Sequence, residues 1–269
     1  MIKVEHILEK GSGRFNEDRL VIGENIFGVF DGASSLAAPP AAVTCGTGGS
    51  LAATIARDTF AGNHYALTRL GRSANSAILE RMLQSGVRLN RPEQIWSTSA
   101  AVVRLHPGEV EWFQTGDAQI LLLYGDGSHK ILADRPDHDY DTLVMLKNAR
   151  DKSLSNPVLK RQVLNVRAGM NKRYGVLNGD PGALDFAKYG RESLAGVEAL
   201  LIFTDGLSLP CPDPAPRKDF TALAGDYRQL GLKGLHKKIR AIEKRDPGRE
   251  KFPRFKCHDD IAAISVSLA

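Results

Sequence analysis

The chain has 269 residues, 42% of them hydrophobic and 25% charged, with a formal net charge of +5. These proportions exclude a disordered or collagen-like protein, and the length suffices to bury a sizeable core. No run reaches the roughly 18 apolar residues of a spanning helix, and the opening MIKVEHILEKGSGR is too broken by charge for a secretory leader, so a cytoplasmic protein without membrane association is expected.

In chain order, residues 1–9 alternate apolar and polar as a half-buried strand does, and 20–30 read as two strands joined by a turn at Gly23-Glu24-Asn25. Apolar residues recur at spacings of three and four over 41–60 and 65–83, which predicts two helices; Gly46, Gly48 and Gly49 weaken the start of the first. Segment 44–50 lacks the GK[ST] ending of a phosphate loop. Segments 98–105, 110–115 and 120–124 read as consecutive strands of an antiparallel meander, with Gly125-Asp126-Gly127 as a hairpin turn. Helical spacing over 141–168 is interrupted by Pro157, and 170–196 is glycine-rich and weakly patterned, as a flap-like surface loop would be. A buried strand at 200–204, a basic helix at 231–244 and a terminal strand at 261–268 follow. This order suits a single layered domain over 1–269 better than strict βαβ alternation.

Cys45, Cys211 and Cys257 are odd in number and form no CxxC pair, which argues against a disulfide framework or a structural zinc site. Residues 217–256 carry 13 lysines and arginines against 5 acidic residues, a net of +8, leaving the remainder of the chain near −3. Such a segment can attract an acidic partner. No nucleic-acid-binding pattern accompanies it, and a solvated helix face is its commoner explanation.

The acidic residues are placed more informatively. Asp31 follows Ile26-Phe27-Gly28-Val29-Phe30, Asp205 follows Leu200-Leu201-Ile202-Phe203-Thr204, and each precedes a glycine. Glu17-Asp18 abut the strand at Leu20, Asp117 lies just beyond a strand, and Asp259-Asp260 precede the last one. Asp-Gly is also ordinary turn chemistry, as at Asp126-Gly127. Taken together, however, like charges at strand ends converge only if a cation compensates them. Hard divalent ions prefer such oxygen ligands, and a pair of them acidifies water and clamps an in-line displacement at phosphorus.

In this order Arg14-Phe15-Asn16-Glu17-Asp18, Phe27-Gly28-Val29-Phe30-Asp31-Gly32, Ser97-Thr98-Ser99-Ala100, Thr115-Gly116-Asp117, Phe203-Thr204-Asp205-Gly206-Leu207 and His258-Asp259-Asp260-Ile261 resemble the successive motifs of the type 2C metal-dependent serine/threonine protein phosphatases, in a form like the bacterial single-domain members. The resemblance spans nearly the whole chain. It implies an α+β fold, a four-layer α/β/β/α sandwich of two antiparallel sheets flanked by helices. It also implies a centre of two Mn²⁺ or Mg²⁺ ions in which a bridging hydroxide attacks the phosphomonoester of a phosphorylated protein. By position, Asp31 would bridge both ions, the Gly32 carbonyl would bind one, and Asp205 and Asp259 the other. Glu17 would act directly or through water, Asp18 would orient waters, and Asp117 would hold a third, weaker ion. Gly175 to Asp180 faintly resembles a later glycine-aspartate block of the family.

The chain departs from the family in two places that bear on mechanism. The family's phosphate-binding arginine stands five residues before the aspartate of its Glu-Asp pair, where this chain has Gly13; Arg14, one residue later, is the candidate substrate-binding and catalytic arginine. After Asp31-Gly32 the chain continues Ala33-Ser34-Ser35, so the histidine proposed as general acid is missing, and His258 and His6 are the substitutes. Ser34 fails the GxSxG pattern of a hydrolase nucleophile. These departures keep two alternatives open: a catalytically weak binding or regulatory relative, and a phosphatase of a small metabolite.

Overall fold

The computed structural model describes residues 2–33, 36, 46–62, 64–134, 136–153, 155–214 and 219–268. Ten strands, β1 (Lys3–Glu9), β2 (Arg19–Ile22), β3 (Ile26–Gly32), β4 (Thr98–His106), β5 (Glu109–Thr115), β6 (Gln119–Tyr124), β7 (His129–Ile131), β8 (Lys188–Ser193), β9 (Val197–Phe203) and β10 (Ile261–Ser267), form two antiparallel sheets. One runs β1-β10-β9-β6-β7 and the other β2-β3-β4-β5-β8. The helices are α1 (Gly48–Ala61), α2 (Leu67–Gln84), α3 (Tyr140–Asn148), α4 (Pro157–Arg167), the short α5 (Ala183–Phe186) and α6 (Thr221–Lys244).

Strand alternation explains the layering. Phe27 and Val29 of β3 turn toward the other sheet, where they join Val103, Ile120, Leu200, Ile202 and Ile264 in a core between the sheets. The opposite face of β3 sends Phe30 against Phe60 of α1, and Phe60 in turn meets Phe113 of β5 at 5.7 Å between ring centroids. On the far side Phe203, Ile261 and Ala263 pack under Leu232, Leu235 and Ile239 of α6. Each of the larger apolar side chains among them contributes about 1.5–3 kcal/mol by leaving water. The expected four-layer α/β/β/α sandwich is therefore the architecture observed.

Three elements differ from the sequence reading. β6 does not continue a meander with β5: after the three-residue link 116–118 the chain crosses to the other sheet, where β6 lies between β9 and β7. β6 is buried along nearly its whole length, so it needs an interior position that the edge beyond β5 could not supply. The stretch 170–196 is not one loop, because its residues 188–193 form β8 on the edge of β5. β8 is polar and largely exposed, so it carries no alternating apolar signal; ion pairs from Arg191 to Glu109 and from Lys130 to Glu192 hold it. Finally, α1 starts at Gly48 behind a capping box made by Thr47 and Ser50, while the predicted start at 41–45, like Cys45 and Ser34, lies outside the described residues.

The basic helix predicted at 231–244 is the second half of α6, which breaks at Gly231 (φ 67°, ψ 178°). Among the described residues no helix is long and apolar enough to cross a membrane, and Cys211 and Cys257 are free thiols.

Candidate metal centre and substrate cavity

The carboxylates gather because strand parity carries them there. Asp31 shares the inter-sheet face of Phe27 and Val29, Asp260 that of Ala262 and Ile264, and each stands one step past the last apolar residue of that face. Asp18 is 2% exposed and accepts a hydrogen bond from the Thr204 hydroxyl at 2.6 Å, at the end of β9. Burial pushes the Asp18 carboxyl well above the usual aspartate range, and the charges of Asp259, Asp260 and Asp205 push it further. Burial raises Asp31 likewise, reinforced by Asp18, Asp205, Asp117 and Asp259. The segments holding residues 18, 31, 117, 205 and 259, scattered along the chain, thus place their charges in one field.

Close backbone approaches form this end of the molecule. A Cβ on Gly32 would lie 2.4 Å from the Gly49 carbonyl oxygen and 2.8 Å from that of Glu17, so α1, β3 and the Glu17 loop meet where a side chain cannot fit. Glu17, 5% exposed, accepts from the Thr47 hydroxyl at the N-cap of α1. Asp260 accepts from the backbone N–H of Gly11 at 2.7 Å and of Glu17 at 2.9 Å, which fixes the loop that carries Glu17 and Asp18. Asp117 accepts from the Ser99 hydroxyl at 2.7 Å.

Beside the carboxylates opens a cavity of about 510 Å³, lined by Asp31, Gly32, Asp117, Asp205 and Asp259 on one side and by α3, α4 and the segment after them on the other. The second wall mixes apolar Leu146, Leu159, Val166 and Met170 with the cations Lys152 and Arg167. Lys256 joins from the loop before Asp259, donating to Asp259 Oδ1 at 2.8 Å. Burial pulls its ammonium down, but Asp259, Asp260 and Glu17 outweigh burial and hold it charged.

The donor set fits hard divalent ions. It is all oxygen, its buried carboxyls Asp18 and Asp31 are raised by burial and by the neighbouring aspartates, and glycine backbone lies among them. Among the described residues, the group whose ligand atoms all come within 4.8 Å of one another is Asp117, His138 and Asp139, alongside these carboxylates.

Of the residues expected from sequence, Asp31, Gly32, Asp117, Asp205 and Asp259 line the cavity, Asp18 is buried against Thr204, and Glu17 lies within the backbone framework around Gly32. Arg14 is exposed, its guanidinium 5.1 Å from the centroid of the Phe15 ring, one residue beyond Gly13 of the cavity wall. His258 bonds through Nδ1 to Glu243 at 3.0 Å, and His6 is exposed on β1; the histidine lining the cavity is His138, stacked on Tyr174 at 3.9 Å. The sequence reading missed His138, Arg167 and Lys256. A histidine between Asp137 and Asp139 was the one available signal; a basic residue at the end of a helix or in a loop gives none. The block at 175–180 is structural, with Asp180 capping Gly182 and accepting from Asn75.

Two antiparallel sheets between helical layers, with an acidic all-oxygen centre at their ends and a cation-bearing cavity beside it, define a metal-dependent phosphoester hydrolase. The protein phosphatase 2C family model matches residues 10–240, so the chain belongs to that family, and its activity class is that of a metal-dependent phosphoprotein phosphatase. Similar solved structures include the serine/threonine phosphatase PstP/Ppp of Mycobacterium tuberculosis, 17% identical at a TM-score of 0.59 over 99% of this chain and 98% of that one. The PstP catalytic domain in complex with 2 manganese ions is 15% identical at 0.57, over 99% and 97%. Stp1 from Staphylococcus aureus is 14% identical at 0.57, over 100% and 96%. At these identities the likeness concerns the fold. No curated protein matches the chain significantly.

Proposed function

We propose that the chain is a cytoplasmic phosphatase of phosphoserine and phosphothreonine in proteins, acting as one catalytic domain over 1–269, with two Mn²⁺ or Mg²⁺ ions held by Glu17, Asp31, the Gly32 carbonyl, Asp205 and Asp259. Asp117 holds a third, weaker ion, for which His138 and Asp139 offer further donors. The observation that carries the reading is that Asp31, Asp117, Asp205 and Asp259, from four separate segments, line one cavity, where burial and their mutual repulsion raise the Asp31 carboxyl, an arrangement that divalent cations stabilise. When bound, the ions neutralise phosphate charge and acidify water at the ester.

The chain's own groups have separable tasks. Asp18, anchored by Thr204, orients water at the buried edge of the centre. Asp260 holds the Glu17 loop against β10. Arg14 stands at the rim and receives the phosphate, with Arg167 and Lys152 as the cations of the far wall. The apolar part of that wall excludes water from the ester and suits the side chains of a peptide. The basic face of α6 contacts an acidic surface of the substrate protein or a partner; neither nucleic acid nor a membrane is involved.

The test is hydrolysis of a phosphoserine peptide and of an aryl phosphate in Mn²⁺, abolished by EDTA and by Asp205→Asn while circular dichroism stays native. Full activity of the folded Asp205→Asn protein would exclude this centre.

A further inference from the structure

The acidic end of the molecule already holds a cation of the chain in a direct ion pair. Lys256 donates to Asp259 Oδ1 at 2.8 Å, and its Nζ lies 3.9 Å from both Glu17 Oε2 and Asp260 Oδ2. Asp260 has other work, since its two oxygens accept the Gly11 and Glu17 N–H groups. The ammonium therefore serves chiefly Asp259, one of the carboxylates assigned above to the ions.

An ammonium and a divalent ion seek the same oxygen lone pairs, and two cations a few ångströms apart repel. Both cannot occupy this pole. The backbone that presents Lys256 is firmly held: Arg254 donates to the Cys257 carbonyl at 3.0 Å and to Asp246 Oδ2 at 3.0 Å, and Arg249 donates to the Phe255 carbonyl at 2.6 Å. Release must come from rotation of the side chain, and the cavity that Lys256 lines gives it somewhere to go.

We propose that Lys256 is a built-in competitor for the ion that Asp259 would hold with Asp205: its ammonium holds Asp259 when divalent metal is scarce and turns into the cavity when metal arrives. The inference rests on the metal-centre reading given above. Its consequence is that the chain binds one of its two ions much more weakly than the other, so that metal supply governs the loaded fraction.

The experiment is Mn²⁺ titration of the metal-free protein by calorimetry, with no substrate present. The unmodified chain should show a tight and a weak step. Lys256→Gln should strengthen the weak step by about tenfold or more, as expected from removing a unit charge a few ångströms from the ion, while Lys256→Arg, which keeps the charge, should bind as weakly as the unmodified chain. A second measurement needs no variant: labelling of the Lys256 amine by an acylating reagent, read by mass spectrometry, should rise several-fold when Mn²⁺ is added. Equal Mn²⁺ binding by the unmodified and Lys256→Gln chains, or labelling that does not rise, overturns the inference and leaves the metal centre standing. Unchanged metal binding with weaker inhibition by inorganic phosphate also overturns it, making Lys256 a plain anion contact. Absence of Mn²⁺ binding by every form overturns both.

Discussion

Two acidic neighbourhoods lie side by side near the end of the chain and are balanced in opposite ways. Around Glu243 and Asp246 each carboxylate has its own arginine: Arg240 bonds Glu243 at 2.7 Å and Glu9 at 2.7 Å, and Arg254 bonds Asp246 at 3.0 Å. The result is a carboxyl at Asp246 below its usual range, since burial there is outweighed by the N–H groups of Phe252, Lys251 and Glu250 and by Arg254. A few residues away, Asp18 and Asp31 are driven upward by burial and by each other's company, with Lys256 as the cation bonded to Asp259. The first neighbourhood is complete as a folded chain; the second, as proposed above, becomes complete when ions come from solution. Part of the positive charge of 217–256 thus serves the protein itself, since Arg240, Arg249, Arg254 and Lys256 all bond inward.

That contrast can be broken first at Asp31. Asp31→Asn should lower phosphopeptide hydrolysis in Mn²⁺ by about 10³-fold, the scale of losing a principal transition-state contact, and yet raise the melting temperature in EDTA, because one of several repelling charges has gone. Loss of both activity and metal-free stability would mean that Asp31 is a structural residue like Asp246. On the balanced side, Arg240→Met should cost about 3 kcal/mol in urea denaturation, because Glu243, 5% exposed, would lose its charge partner. A neutral outcome would mean that His258 compensates Glu243 alone.

The pH dependence sharpens the same comparison. A carboxyl raised in the folded state keeps a proton that the unfolded chain releases above the ordinary value of 3.8, so its presence lowers stability as pH rises from there toward the raised value. In EDTA the unmodified protein should therefore lose stability relative to Asp31→Asn as pH climbs above about 4. Mn²⁺ should reverse the trend and release protons, which calorimetry in buffers of different protonation enthalpy detects. Identical pH profiles for the two proteins would contradict the raised carboxyl. The smallest effect is expected at exposed Arg14: Arg14→Ala should raise KM about fivefold with kcat nearly unchanged, the worth of a solvated ion pair. An unchanged KM would transfer the phosphate-binding role to an arginine of the cavity wall, Arg167 or Arg249.

The sequence made the strands that carry the carboxylates legible, because IFGVFDG and LLIFTDG combine a buried apolar run with an acidic end, and burial of the run dictates where the end must point. It did not reveal which sheet β6 would join. A three-residue link with glycine at its αL position, Gly116 at φ 74°, serves a hairpin or a crossing between sheets equally well, and only the packed partner distinguishes them. β8 was hidden by its polarity, being an edge strand with no buried face. Lys256 and Arg167 were hidden for a different reason: long cationic side chains have no periodic signature, and their direction is fixed by the tertiary contacts of α4 and of the Arg254-bonded loop.

The Asp260 staple also sets an order of events during synthesis. It reaches across 249 positions to Gly11 and 243 to Glu17, while β1 finds its partner only in β10. A nascent polypeptide synthesised as far as residue 250 lacks β10 and Asp260, and with them the bonds that tie down Gly11 and Glu17. Contacts of such long sequence separation close late. Hydrolytic competence should therefore arrive in one step with the final strand, and a half-made copy would leave surrounding phosphoproteins untouched.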